Sequence, residues 1–222
     1  MELTPNLHAF LWRSSGANNC NTYLIRSPQK HILIDPGHAA HFDHVRQGLD
    51  RLGLTPDHID LLIGTHAHPD HIEAVRLFDQ APALFALHNT EWQLVEAMGP
   101  YLKTSMNVDP ETLAPDFFLQ EGALTVGDVD LRVYHTPGHA PGAVTIYWPA
   151  AKALFTGDLI FKSGLGRTDL PGGDGRQLKE SIRRMAALDA EWLLSGHGDV
   201  VSGADAVKDN FAQVERAWFG YI

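Results

Sequence analysis

The residues with the clearest chemical capacity lie in one short stretch, Thr65-His66-Ala67-His68-Pro69-Asp70-His71, with three histidines and one aspartate within six positions. Imidazole nitrogen and carboxylate oxygen form a donor set for zinc, and also for iron or manganese. The stretch follows an apolar run, Ile59 to Ile63, that reads as a buried strand. Side chains alternate along a strand, so His66 and His68 leave its end on the same side. Pro69 suits the first position of a helix, where its missing N–H costs nothing. Asp70 and His71 then fall in the first helical turn and face a second position. One segment can therefore begin two neighbouring metal sites; the alternative is a surface histidine cluster with no metal.

Three later segments share this character. Each is an apolar strand that stops at a glycine beside a histidine or aspartate: Val133-Tyr134-His135-Thr136-Pro137-Gly138-His139, Leu154-Phe155-Thr156-Gly157-Asp158 and Leu193-Leu194-Ser195-Gly196-His197-Gly198. Glycine lets the backbone turn sharply and approach an ion. Each segment alone is a weak signal; their shared place at strand ends ties them to the first cluster.

The elements that must position these groups follow from hydrophobic period and turn residues. Leu7 to Trp12, Thr22 to Ile25 and Ile32 to Ile34 read as strands, the last stopping at Asp35-Pro36-Gly37. Phe42, Val45, Leu49 and Leu52 recur at helical spacing, predicting a helix over 41–52 with Gly53 just past its end. Pro69 to Phe78 reads as a helix, Ala83 to Leu87 as a strand and Glu91 to Met98 as a helix. Gly99 to Pro115 holds three prolines and reads as a loop with at most short helical pieces, a candidate substrate wall. Strands follow at 123–126, 129–134, 143–148 and 153–155, the first two joined at Gly127-Asp128 as by a type I′ turn. A helix over 177–188, a strand over 192–195 and a helix over 204–218 complete the order.

Composition narrows the function classes. The chain has 222 residues, 44% hydrophobic and 20% charged, which suits a globular protein with a substantial core. Its net charge of −10 argues against nucleic acid as a partner. A single cysteine, Cys20, excludes an intrachain disulfide and a cysteine-based zinc site, and fits a reducing, cytoplasmic setting. Met1-Glu2-Leu3-Thr4-Pro5 lacks the basic and apolar regions of a signal peptide, and no run reaches the ~18 apolar residues of a membrane span. The expected partner is a small-molecule substrate; a homo-oligomer is compatible with the aromatic cluster Trp218, Phe219 and Tyr221.

With these motifs in order, the chain resembles the metallo-β-lactamase superfamily: His-x-His-x-Asp-His at His66 to His71, then His139, Asp158 and His197. The resemblance implies one domain over 1–222 with an αββα sandwich, two mixed β-sheets with helices on the outer faces. It also implies His66, His68 and His139 at a first metal, Asp70, His71 and His197 at a second, and Asp158 as the bridging carboxylate. The cofactors would be two divalent ions, zinc first, with iron or manganese as alternatives. Ions about 3.5 Å apart share a water and lower its pKa toward neutrality, giving a bridged hydroxide for attack on a carbonyl or phosphoryl centre. Asp158 would offset their mutual repulsion, and Asp70 would orient the hydroxide or take its proton.

The segment Gly164-Leu165-Gly166-Arg167-Thr168-Asp169 is similar to the glyoxalase II and persulfide dioxygenase branches. There a cation at the position of Arg167 contacts the glutathione carboxylate; the alternative is that Arg167 and Asp169 pair with each other. Asp199 stands where those branches commonly have a tyrosine, and only one helix follows His197. The implied activity is hydrolysis of a small thioester or ester, S-acylglutathione among the candidates, as in a short bacterial-type hydroxyacylglutathione hydrolase. The alternatives are a dioxygenase with one iron on His66, His139 and Asp158, and a metal-binding protein without catalysis. Asp35 is a candidate support for a ligand histidine. His38, His41 and His44 read as solvated helix positions, and Cys20 as a buried small apolar residue.

Overall fold

The computed structural model describes residues 1–222, which form two compact units, Met1–Leu119 and Gln120–Ile222. The first unit is built on a seven-stranded sheet: β1 (Glu2–Thr4), β2 (Leu7–Phe10), β3 (Thr22–Arg26), β4 (His31–Ile34), β5 (Leu61–Ile63), β6 (Leu84–His88) and β7 (Phe117–Leu119), lying in that order. β1 to β4 pair antiparallel, and β4 to β7 pair parallel. The parallel strands are short apolar runs, as strands covered on both faces must be: Leu61, Leu62 and Ile63 are all buried.

Its helices are α1 (Asp43–Asp50), α2 (Pro69–Ile72), α3 (Asn89–Ala97) and α4 (Gly99–Ser105). Val45 and Leu49 of α1 join Leu24, Leu33 and Leu62 of the sheet in one buried cluster. Each such leucine contributes about 1.5–3 kcal/mol by leaving water. Gly53, with φ 72, ends the helical segment as its spacing predicts.

One helical expectation changes and another is filled in. The helix expected over 69–78 is α-helical only to Ile72 and continues as a 3-10 segment, Glu73–Phe78. The Ala74 N–H donates to the Gly37 carbonyl at 2.7 Å, so a tertiary partner replaces the helical ladder there. The Gly99–Pro115 stretch holds α4 and a 3-10 turn, Pro110–Leu113. Pro100 and Pro110 stand in first turns, where proline starts a helix rather than breaking it.

The second unit holds a six-stranded sheet: β8 (Gly122–Val126), β9 (Val129–His135), β10 (Val144–Trp148), β11 (Ala153–Gly157), β14 (Trp192–Ser195) and β15 (Val201–Ser202), in the order β15-β14-β11-β10-β9-β8. A separate ribbon pairs β12 (Ile160–Phe161) with β13 (Gly164–Leu165). Along β9, Val129, Leu131 and Val133 are buried while Asp130 and Arg132 are exposed, the period-two pattern of a half-covered strand. The two-residue turn before β9 puts only Gly127 at positive φ, 62°, which matches a type II′ turn rather than the expected type I′. α5 (Gly175–Ala186) and α6 (Ala204–Trp218) supply Leu178, Ile182, Met185, Val207, Phe211 and Val214 to a cluster with Leu154 and Leu193. Asp174 caps α5 by accepting from the Gln177 N–H at 3.0 Å. No helix is long and apolar enough to cross a membrane.

Candidate metal centre

In the first unit, β4, β5 and β6 run parallel, so their carboxyl ends share one edge. Such an edge is where open α/β sheets gather functional groups. Asp35 follows β4, the His66–His71 segment follows β5, and Glu91 lies three residues after β6. Gly64 makes the turn out of β5, and a Cβ there would meet the Ile72 side chain at 2.9 Å. His68 precedes α2 with extended backbone and Pro69 occupies its first position, as expected.

The four predicted residues come together. His66 and His71 are 1% and 0% exposed, and Asp70 is 8% exposed. His66 Nε2 lies 2.9 Å from His68 Nδ1, and the His66 and His71 ring centroids are 4.1 Å apart. A ligand atom of His71 lies within 4.8 Å of one from His66 and of one from Asp70. Three imidazoles and a carboxylate so close together form a preassembled donor set.

Asp35 sets the protonation pattern of this cluster. Its Oδ2 lies 2.9 Å from His71 Nδ1; a carboxylate accepts, so Nδ1 carries the proton and Nε2 is the nitrogen a metal would take. The same carboxylate accepts from the Thr65 N–H and the Thr65 hydroxyl, both at 2.7 Å. With its proton given to Asp35, the Thr65 oxygen accepts from His66 Nδ1 at 3.1 Å, and His66 too turns Nε2 outward. Asp35 bonds a candidate ligand histidine, as expected, and through Thr65 it reaches a second. Asp35 itself sits at φ 54, a strained backbone for a residue with a side chain. Asn18 Nδ2 donates to Asp70 Oδ2 at 2.8 Å.

Glu91 escaped the sequence reading. It is fully buried, and its Oε2 accepts from the Ala67 N–H at 2.6 Å, between His66 and His68. In sequence it is only the first residue of an expected helix, and the one available cue was its place in the first turn after a strand of that sheet.

In the second unit, β9 and β11 each pair antiparallel with β10, and β11 runs parallel to β14. All three therefore leave the sheet at the same edge, and each is followed by one predicted residue: His139, Asp158 and His197. Asp158 Oδ2 lies 3.5 Å from His139 Nε2 and 3.3 Å from His197 Nε2. His139 Nδ1 donates to the Arg167 carbonyl at 2.7 Å, which again leaves Nε2 as the nitrogen a metal would take. Gly196 N–H donates to the Gly157 carbonyl at 2.8 Å, tying two of the strand ends together. Gly166 has no room for a side chain: a Cβ there would collide with the Asp158 carbonyl and press on His139.

Arg167 forms the pair weighed as the alternative. Its Nε and an Nη each donate to Asp169 at 2.7 Å, and this fork holds the exposed Asp169 carboxyl at about 2. Lys162 bonds Asp199 at 3.2 Å. His135 bonds the Pro141 carbonyl at 3.0 Å. His38, His41 and His44 are not simply solvated: His38 pairs with Glu73 at 2.7 Å, and the other two pack on Trp12 with ring centroids 5.0 and 5.1 Å away.

The donor chemistry fits divalent metal, and relatives agree on the class. Residues 15–197, which run across both units, match the metallo-β-lactamase superfamily model. The chain is 34% identical over 205 residues to the probable metallo-hydrolase YqgX of Bacillus subtilis, covering 87% of this chain and 94% of that one. It is 30% identical over 199 residues to the hydroxyacylglutathione hydrolase GloC of Haemophilus influenzae, covering 86% and 91%. The solved structure of TTHA1623 in a di-iron-bound form shares 30% identity at a TM-score of 0.71, covering 89% and 92%. The chain belongs to the metallo-β-lactamase superfamily, and its two mixed sheets with their helices are the αββα fold of that family.

Proposed function

We propose that the protein is a binuclear metallohydrolase acting on a small thioester, with S-acylglutathione the first candidate. The observation that carries the metal reading is the His66–His71 cluster, whose histidine tautomers are set by Asp35. The two ligand groups follow the family's order along the chain, which supports a single centre. By the family's pattern, His66, His68 and His139 would hold one ion and Asp70, His71 and His197 a second, with Asp158 a carboxylate ligand shared by both. Two divalent ions would supply a water acidified toward neutrality and a Lewis acid for the carbonyl oxygen. Asp158 would offset the mutual repulsion of the two cations. Asp70, steadied by Asn18, would orient the attacking water and take its proton. The thioester assignment is supported by similarity to GloC over most of both chains.

Arg167 is proposed as the contact for a substrate carboxylate. Its guanidinium already forms a fork on Asp169, a carboxylate of the same shape, so substrate would take the place of Asp169. The test is hydrolysis of S-acylglutathione and simple thioesters by the wild type, His66→Ala and Asp158→Ala. Both variants should lose nearly all activity and metal while their circular dichroism stays native. Full activity in either variant would defeat the assignment.

A further inference from the structure

The first unit contains a cavity of about 20 Å³ beside the histidine cluster, lined by His68 with its two chain neighbours and by Leu94, Val95, Met98 and Leu102. His68 supplies its one polar side chain; the rest is hydrocarbon from α3 and α4 with Ala67 and Pro69. Val95 and Leu102 are buried, and Leu94 and Met98 are half-buried. The wall is fixed relative to the cluster, because Glu91 on the same α3 bonds the Ala67 N–H.

We propose that this cavity receives the apolar end of the substrate's acyl group; the assignment rests on the thioesterase reading above. His68 would hold one of the proposed ions, so a carbonyl drawn to that ion would bring its neighbouring carbon close to His68 and the cavity. A space a little larger than the ~10–15 Å³ a water needs accepts a methyl or ethyl group. It is far too small for a tripeptide thiol, whose binding would require several hundred Å³. Apart from His68, whose Nδ1 is already engaged by His66 at 2.9 Å, the lining is hydrocarbon and stabilises no ionic group, so the group it takes is a short alkyl chain. This cavity therefore sets the acyl length, and recognition of the thiol is left to groups outside it such as Arg167.

The experiment measures kcat/KM for acetyl, propionyl, butyryl and hexanoyl thioesters of one thiol, in the wild type, Leu94→Ala and Met98→Ala. Burying one methylene is worth about fourfold. The wild type should gain about fourfold from acetyl to propionyl and lose about tenfold or more at hexanoyl. Either truncation should move the optimum to a longer chain, with thermal unfolding confirming the fold. Turnover with a flat profile, or an optimum that neither truncation moves, overturns the subsite alone. No turnover of any thioester by metal-replete wild type overturns the thioesterase reading, and the subsite with it.

Discussion

At the residue scale, the centre depends as much on hydrogen-bond donors and acceptors around the ligands as on the ligands. Asp35 accepts from Thr65 twice and from His71 once, and so directs two imidazoles at once. Asp35→Asn keeps a residue that tolerates left-handed backbone but lacks a second carboxylate oxygen. It should weaken metal affinity or activity about 10–100-fold with little loss of secondary structure. Metal titration followed by circular dichroism checks this; unchanged affinity would show that the tautomers are set elsewhere. Arg167→Ala should raise KM for S-acylglutathione while sparing a simple thioester, whereas an equal effect on both would make Arg167 structural. Steady-state kinetics on the two substrates separate the outcomes. Of these residues the ligands were legible because they cluster or end strands beside glycine. Glu91 was not, because burial of a carboxylate in an otherwise amphipathic helix has no local mark in sequence. Nor was the Arg167 carbonyl, since backbone acceptors are invisible in residue type.

At the scale of elements, strand direction does the positioning: in each sheet three strand ends that run the same way deliver their groups to one edge of that sheet, all of them predicted except Glu91. The longer strands and helices were readable from period two and period 3.6. Strands of two or three residues, such as Phe117–Leu119, Ile160–Phe161 and Val201–Ser202, hold too few side chains to show either period. The break at Ile72 was unreadable too, because the bond from Ala74 to Gly37 is tertiary. The second unit also carries an acid-sensitive tie. Arg184 on α5 forks Glu121 next to β8 at 2.7 and 2.8 Å, and that hydrogen bonding lowers the Glu121 carboxyl from 4.5 to about 2. A carboxyl depressed in the folded state stabilises above its ordinary value, and the gain fades as pH falls from about 4.5 toward about 2. The pair is half-exposed, so its worth is about 1 kcal/mol or less. Glu121→Gln should therefore lower the melting temperature near pH 7 and converge on the wild type in acid. A constant difference across that range would remove the ion pair as its cause.

At the scale of the molecule, the net charge of −10 is the ground for expecting a small-molecule substrate, since the centre itself does not distinguish one hydrolytic substrate class from another. The fold class came from the order of the ligand motifs, since strand and helix order alone fits several α/β architectures. Function is narrower than fold, because one superfamily centre serves several chemistries. The central claim is a pair of metals held by seven side chains, and elemental analysis of untagged protein tests it most directly. About two divalent ions per chain, as zinc or a mixture with iron or manganese, is the result expected. About one iron per chain, with oxygen uptake on a glutathione persulfide and no thioester hydrolysis, would contradict it.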